Sequence, residues 1–435
     1  MSESAQTARL GRSASGILAS AARVGAWVVL AALLLMLPKL FTSSFAFTML
    51  SLMGISIIFA LSYNMLLGQT GMLSFGHAVY YGLGGFLVVH AMNAITKNSL
   101  PVPLPLMPLV GGFAGLFFGI VFGSVSTRRG GTAFAMISLG LGELVASSAL
   151  ILRSFFGGEE GITTNRTKLL RVFDLSFGPQ TQVYYLIAIW CFICVFAMYA
   201  LTRTPFGRMC NAVRDNFERA EFVGYNPQLV RFIAFCLSGF FAGVAGGLAA
   251  INFEIVSSGY VGAAQSGSVL LAAYIGGIGF FSGPIIGAIL VTWLQVMLSD
   301  ITEIWQLYFG LLFVGMVMFA PFGISGLLMM HAPLWHARVL WRVVPAYLLA
   351  LAAGLVMLTG ASLLIEMAYH LSSKASEGPT MSFMHVSFSV HSVLPWLAMA
   401  ALLAGGYWFF RWSWPFVEGA WHDALMKARE HGSAA

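Results

Sequence analysis

Few side chains in this chain are able to do chemistry, and most of them stand in four short stretches. In "LGQTGMLSFGH", residues 67–77, Gln69, Thr70, Ser74 and His77 are set among Gly68, Gly71 and Gly76, with Asn64 one turn earlier. Amide, hydroxyl and imidazole groups of this kind pass a solute or a proton by hydrogen bonding. The stretch "GGIGFFSG", residues 276–283, repeats the G-x-x-G-x-x-S spacing of Gly68, Gly71 and Ser74 with Gly276, Gly279 and Ser282, flanked by Gly277 and Gly283 and preceded by Gln265. Glu143 stands alone in "AFAMISLGLGELVASSALIL", where a carboxylate at membrane depth costs a few kcal/mol, about 2.5–3.5 on an insertion scale. The fourth stretch, residues 203–232, holds Arg208, Arg214, Asp215, Glu218, Arg219 and Glu221 between Gly207 and Gly224 and is the most charged part of the chain.

None of this forms a catalytic constellation. There is no G-x-x-x-x-G-K-[ST] to cradle a nucleotide, no H-E-x-x-H and no G-x-S-x-G, and the nine His residues are scattered. Cys191 and Cys194 make a C-x-x-C inside an apolar run with no His or acid beside it, so packing is favoured over a metal or redox site. The chain is not expected to be an enzyme, nor to bind a cofactor, a metal or nucleic acid.

The elements that must position these groups follow from composition. Hydrophobic residues make up 59% of the 435 and charged residues 9%, against about a quarter charged in soluble domains, and the mean hydropathy is +0.85. This is an all-α polytopic membrane protein. Apolar runs near the length of a membrane-spanning helix, about 17–25 residues, fall at 24–41, 45–67, 77–95, 104–126, 131–152, 183–202 and 229–252. Two shorter ones follow at 262–275 and 284–299, then 304–322, 343–366 and 391–410. The pattern predicts about ten core spans with an internal pseudo-repeat, and two more after them.

The basic residues orient these spans. Arg9, Arg12 and Arg23, then Arg128 and Arg129, then Arg203 to Arg231, then Arg338 and Arg342, and finally Arg411, Lys427 and Arg429 share one side if the two short spans each cross or together re-enter. The positive-inside rule then places both termini in the cytoplasm. The run from Val24 has no small-residue cleavage site after it and is expected to be a retained span.

The glycine-rich break at 68–77 has two readings. Backbone that leaves helical geometry inside a bilayer persists only where protein or water satisfies its N–H and C=O groups, so the break either lines a cavity or is an ordinary loop in water. Paired glycine-interrupted segments point to a repeated transporter with its pathway between the repeats. Glu143 is equally open, as a functional group or as a neutral or paired anchor. Residues 207–224 have the pattern of one short amphipathic helix, with Met209, Ala212, Val213, Phe217 and Ala220 near one face, for solvent or for a cytosolic partner.

Several segments together resemble one family. "LSYNMLLGQTGMLSFGHAVYYGLGGF", "AFAMISLGLGEL", "FFGGEEGI", "FGRMCNAVRDNFERAEFVGYNP", "GGIGFFSGPIIGAIL" and "LYFGLLFVGMVMFAPFGISGLL" are similar, in this order, to segments of the LivM-type permeases of branched-chain amino acid ABC importers. Two departures stand out. In the outer-loop motif Gly157 follows Phe156 where the family has Thr, and in the coupling motif Phe217 replaces a commonly acidic residue.

The resemblance implies a permease core at 24–328 that pairs with a second homologous permease, two cytosolic ATPases carrying the ATP, and a periplasmic substrate-binding protein, in a bacterial inner membrane. It turns the open reading of the break toward the cavity, and makes residues 203–228 the coupling segment, with Gly207, Arg208, Arg214, Asp215, Glu218, Arg219, Glu221 and Gly224 facing an ATPase. Pathway candidates are then Asn64, Gln69, Thr70, Ser74, His77, Glu143, Gln265 and Ser282. Branched-chain amino acids, urea or amides, and aromatic or other small acids are all compatible substrates. Beyond the family's usual end lie a linker at 329–342, a two-helix extension at 343–410, and a tail at 411–435 expected at the membrane lipid interface. The rival reading is a proton-coupled secondary transporter with Glu143 as its proton site, and a third, a membrane scaffold or enzyme subunit, rests on the C-terminal extension alone.

Overall fold

The computed structural model describes residues 24–25, 27–170, 175–374, 378–383 and 386–433. The N-terminal segment 1–23, with Arg9, Arg12 and Arg23, lies outside the described residues. Ten helices form most of the first part of the chain: α1 (Trp27–Leu40), α2 (Ser44–Thr70), α3 (Ala78–Asn98), α4 (Met107–Ser126), α5 (Gly131–Ile151), the short α6 (Arg153–Phe156), α7 (Gln180–Arg203), α8 (Pro205–Asp215), α9 (Phe217–Phe222) and α10 (Pro227–Phe253). They are followed by α11 (Ala263–Gly276), α12 (Gly283–Ile301), α13 (Trp305–Phe319), α14 (Gly323–His336), α15 (Val344–Ser373) and α16 (Val393–Ser433). Nine helices among the described residues are long and apolar enough to cross a membrane, and α13 with α14 makes a further pair bent by 41°.

Local chemistry sets the ends. Ser43 caps α2 by accepting from the Ala46 N–H, Asn226 caps α10 through the Leu229 N–H, and Pro205 and Pro227 occupy first-turn positions where no N–H is missed. α2 stops at Gly71, whose φ of +69° is open to glycine at little cost, with Gly71 N–H and Met72 N–H closing on the Leu67 and Leu66 carbonyls.

The chain divides into two compact units, one running to Leu327 and one starting at Leu328. In the first, α10 is the central helix, packed against α2, α3 and α4. It can be central because its glycines let neighbouring backbones touch: a Cβ on Gly84 of α3 would stand 2.6 Å from Gly243 Cα, and a Cβ on Gly115 of α4 would overlap the Gly239 carbonyl. Gly111 and Gly115, four apart on α4, meet Gly239, Gly243 and Gly247, spaced four apart on α10, and Gly119 lies against the Cys236 backbone. In lipid, where apolar side chains gain little by leaving the solvent, this close approach is what holds helices together.

One end of this unit gathers the arginines. Gly130, beside Arg128 and Arg129, lies against the Arg231 guanidinium; Arg214 reaches the end of α2; and Gly277 lies against Phe322 and Ser325. At the opposite end the strands β1 (Ile162–Thr163) and β2 (Ile255–Val256) pair antiparallel. There Arg166, 9% exposed, donates to the carbonyls of Phe177, Ile251, Asn252 and Gly178 and to Gln180 Oε1. Its guanidinium thus holds the C-terminal carbonyls of α10, the negative end of that helix dipole.

Several boundaries differ from the sequence expectation. α11 has 14 residues and is about 21 Å long, too short to cross alone. The charged segment is two helices, α8 and α9, because Asn216 adopts extended backbone (φ −159°) and caps α9 by accepting from the Arg219 N–H. The expected linker at 329–342 is largely the second half of α14 and a 3₁₀ turn at Leu340–Arg342. The expected tail after 410 continues helically: α16 has 41 residues and is about 61 Å long, near twice the hydrocarbon thickness. In this second unit α15 and α16 approach closely, a Cβ on Gly406 standing 2.7 Å from Met357 N, and the hairpin of β3 (Thr380–Phe383) and β4 (Val386–Ser389) follows α15. The second half of α16 packs Ala424, Ala420 and Trp421 on Leu334, Val339 and Val343.

Candidate functional site

The break after α2 climbs back into the protein. His77 Nε2 lies 3.0 Å from Ser62 Oγ, and Ser62 precedes the end of α2 by eight residues, so the segment 71–77 rises about 12 Å alongside α2 before α3 begins. Met72, Ser74, Gly76 and His77 are all buried. Its backbone is satisfied by side chains from distant helices: Phe75 N–H donates to Ser138 Oγ of α5 (3.1 Å) and Ala78 N–H to Ser266 Oγ of α11 (3.1 Å). This is backbone buried within the protein beside α2 and satisfied by it, not a loop in water. Gly76 has no room for a side chain, since a Cβ there would overlap the Ser138 carbonyl oxygen.

The second glycine stretch has a different geometry. Gly276 ends α11, Gly277 takes φ +109°, and Gly283 opens α12, so 277–282 is a tight turn with Gly279 and Ser282 exposed. The shared G-x-x-G-x-x-S spacing therefore serves two backbone shapes. The two stretches nevertheless meet, because a Cβ on Gly68 would stand 2.7 Å from the Ile278 carbonyl. Between them lies a cavity of about 210 Å³ lined by Asn64, Gly68, Gln69, Thr202, Asn211, Arg214 and residues 278–281. Asn64 is 3% exposed and its Oδ1 has no hydrogen-bond partner among the described residues.

A second cavity, about 320 Å³, is bounded by α2, the first turn of α3, the start of α11, α12 and the start of α13. Ser56, Tyr81, Tyr260, Gln265, Ser268, Thr292, Gln295 and Ser299 supply amides and hydroxyls to it, and among the described residues no formally charged one lines it. Gln265 sits in the first turn of α11, the short helix that starts within the protein.

The other sequence candidates stand elsewhere. Thr70 turns its hydroxyl back to the Leu66 carbonyl (2.6 Å). Ser74 is buried, its carbonyl accepting from Tyr63 OH (3.1 Å). His77 is fully buried, stacked on Phe59 at 5.5 Å and edge-on to Tyr63 at 5.4 Å, so it walls the break and lines neither cavity. Glu143 lies with Met136, Gly140 and Ser147 on the exposed side of α5, opposite the side that carries Ser138, Gly142 and Val145 against the rest of the unit.

The charged segment shows two faces. Cys210, Val213 and Ala220 pack on Val230 and Ala234 of α10. Outward stand Arg208, Glu218, Arg219 and Glu221 together with Phe217, Phe222 and Val223, the last two 90% and 70% exposed. Ala212 and Phe217, expected on the packed face, are exposed, Phe217 because the kink at Asn216 rotates α9 relative to α8. Arg214 differs from its neighbours: its Nη1 donates to the Gly68 carbonyl at the end of α2, and its Nε and Nη2 each lie 3.0 Å from Asp215 Oδ1.

Sequence reasoning missed Ser138 and Ser266, which have no motif, and the polar groups of α12. Only Thr292, Gln295 and Ser299, recurring at helical spacing on one side of an apolar helix, offered a signal for these.

The chain matches the family model described as branched-chain amino acid transport system / permease component over residues 45–321. It is 28% identical over 300 residues to the high-affinity branched-chain amino acid transport system permease protein LivM of Escherichia coli K12, covering 64% of this chain and 69% of that one. It is 25% identical over 286 residues to BraD of Pseudomonas aeruginosa, a permease protein of the same kind of system, covering 62% and 91% of the two chains. The autoinducer 2 import system permease protein LsrC of Escherichia coli O9:H4 is 27% identical over 224 residues, 51% and 60% of the two. No solved structure matches the chain. With the family model covering more than half of its length, and the break after α2 and the two-faced charged segment within that match, this chain belongs to the permease components of branched-chain amino acid transport systems.

Proposed function

We propose that this chain is the transmembrane permease subunit of an ABC importer, carrying branched-chain amino acids or related small solutes across a bacterial inner membrane together with a second, homologous permease. ATP is hydrolysed by two cytosolic ATPase subunits, and a periplasmic binding protein delivers the solute. The arginine-rich end faces the cytoplasm, following the positive-inside rule.

The observation that carries this reading is the outward face of α8 and α9. Phe222 and Val223 stand almost fully exposed beside Arg208, Glu218, Arg219 and Glu221. An apolar centre ringed by charge of both signs is what a protein partner buries. A secondary transporter working alone has no use for such a surface, and it would enclose its proton site, whereas Glu143 lies on an open side of α5 that suits contact with the second permease.

The solute path runs through the cavity of Gln265 and Gln295, whose neutral amides and hydroxyls can hydrogen-bond a small polar solute without trapping it by charge. Purification of the tagged chain from native membranes, with identification of what accompanies it, tests the proposal. Two ATPases bearing phosphate-binding loops and a second permease are the expected companions. Recovery of this chain alone, under detergent conditions that preserve known importers, overturns it.

A further inference from the structure

We infer that Arg214 is the link through which movement of the coupling segment is transmitted to the glycine breaks, rather than part of the surface that meets the ATPase. The inference rests on the ATPase-coupled reading above and concerns what happens on the inner side of α8.

α8 touches the rest of its unit in two chemically different ways. Against α10 the contacts are apolar, through Cys210, Val213, Val230 and Ala234. Such contacts are non-directional and allow small sliding. Against α2 the contact is a charge-assisted hydrogen bond from Arg214 to the Gly68 carbonyl, which is directional and weakens steeply with misalignment. The bond lands on the last turn of α2, where the carbonyls form the negative end of the helix dipole. The stem is held as well: a Cβ on Gly71 would stand 3.1 Å from Arg214 Cγ, so the guanidinium's reach starts against the αL residue at which α2 stops. Asp215 fixes the other side of the fork through Nε and Nη2.

Displacement of α8 therefore pulls on one turn of α2 that is bounded by a glycine on either side, Gly68 and Gly71. That turn is also the wall of the 210 Å³ cavity and touches the α11–α12 turn at Ile278. Asn64 Oδ1, buried in the same cavity without a partner among the described residues, is an acceptor ready for a rearranged donor. The parts of a two-position gate, a directional handle, a glycine-bounded turn and a polar cavity, thus meet at Arg214.

The test uses the complex of this permease with its co-purified ATPases in liposomes, reading ATP hydrolysed per solute taken up. Arg214→Ala is expected to recover the ATPases as the parent does and to keep hydrolysing ATP, while uptake per ATP falls about tenfold or more, the scale of one charge-assisted hydrogen bond. Glu218→Ala, on the outward face, is expected to lower ATPase recovery. A second readout is thiol labelling of Gly279→Cys, a cavity-lining position with open space around its Cβ. The four native cysteines are buried, and burial pushes the Cys210 thiol up to about 12, so their background is low. Labelling is expected to differ between nucleotide-free and nucleotide-trapped complexes, and this difference is expected to vanish with Arg214→Ala. Should that variant fail to assemble, Arg214→Lys and Asp215→Asn are held to the same two readouts, with smaller losses expected. Unchanged uptake per ATP, or labelling that still follows nucleotide, overturns the role of Arg214. Absence of ATPases from the parent preparation is a different outcome, and it overturns the proposed function instead.

Discussion

Replacing Gly76 by Ala asks whether the re-entrant break is a packed element. A Cβ at Gly76 would overlap the Ser138 carbonyl oxygen and stand 3.1 Å from Ser138 C and 3.2 Å from Gly142 N. All three are backbone atoms of α5, so no side chain can rotate out of the way, and either α5 or the break must move. Overpacking of this kind costs about 1–3 kcal/mol and sometimes more. The same shift stretches the hydrogen bond from Phe75 N–H to Ser138 Oγ, adding to the loss. Gly140→Ala, on the open side of the same helix, has nothing within 4 Å and removes a helix-weakening glycine, so it is expected to be neutral or stabilising by up to about 1 kcal/mol. Thermal unfolding of the purified chain in one detergent compares the two, with uptake in cells as a second measure. Gly76→Ala is expected to melt several degrees lower and to lose transport. Equal melting temperatures for the two variants would refute the packing of the break against α5.

Three further outcomes follow from named contacts. Ser266→Ala leaves the buried Ala78 N–H at the start of α3 without its acceptor and is expected to destabilise by about 1–3 kcal/mol, read in the same melting assay. Arg166→Lys is expected to melt lower than the parent even though charge is kept, because an ammonium has three donors where the guanidinium makes five bonds to Phe177, Ile251, Asn252, Gly178 and Gln180. Glu143→Gln is expected to leave the melting of the isolated chain unchanged, since among the described residues none encloses that side chain, and to reduce co-purification of the second permease; unchanged recovery would remove Glu143 from that contact.

Much of the helical framework was legible in the sequence, because an apolar run bounded by Ser43, Pro205, Pro227 or Gly71 leaves little choice of ends. The course of the break was not. Its burial depends on Ser138 and Ser266, 63 and 188 positions from the N–H groups they satisfy, and no local pattern encodes such partners. The repeated glycine spacing showed where helices stop without showing how, since one copy climbs beside α2 and the other turns at once. The partner of Arg214, itself a coupling candidate in the sequence, was hidden for a related reason. A charged residue on an amphipathic helix reads as solvent-facing, and only the structure shows that a helix C-terminus lies within its reach. The glycines four apart on α4 and α10 were visible in the sequence, and their meaning came from finding the two helices face to face.

The pieces also explain why the polar residues of this chain are so few and so placed. A break in a membrane helix needs acceptors for its freed N–H groups, and Ser138 and Ser266 provide them with one hydroxyl each, leaving no charge at depth. Such hydroxyl-to-backbone bonds are individually weak, near ~1 kcal/mol net, so the break is held by several replaceable contacts and by glycine packing rather than by one strong tie. The strong, directional bond in the region is Arg214 to Gly68, and it joins the break to an element whose outward surface is both apolar and charged. An element that must change position on demand is best built this way, with weak contacts inside and the firm one leading to whatever drives it.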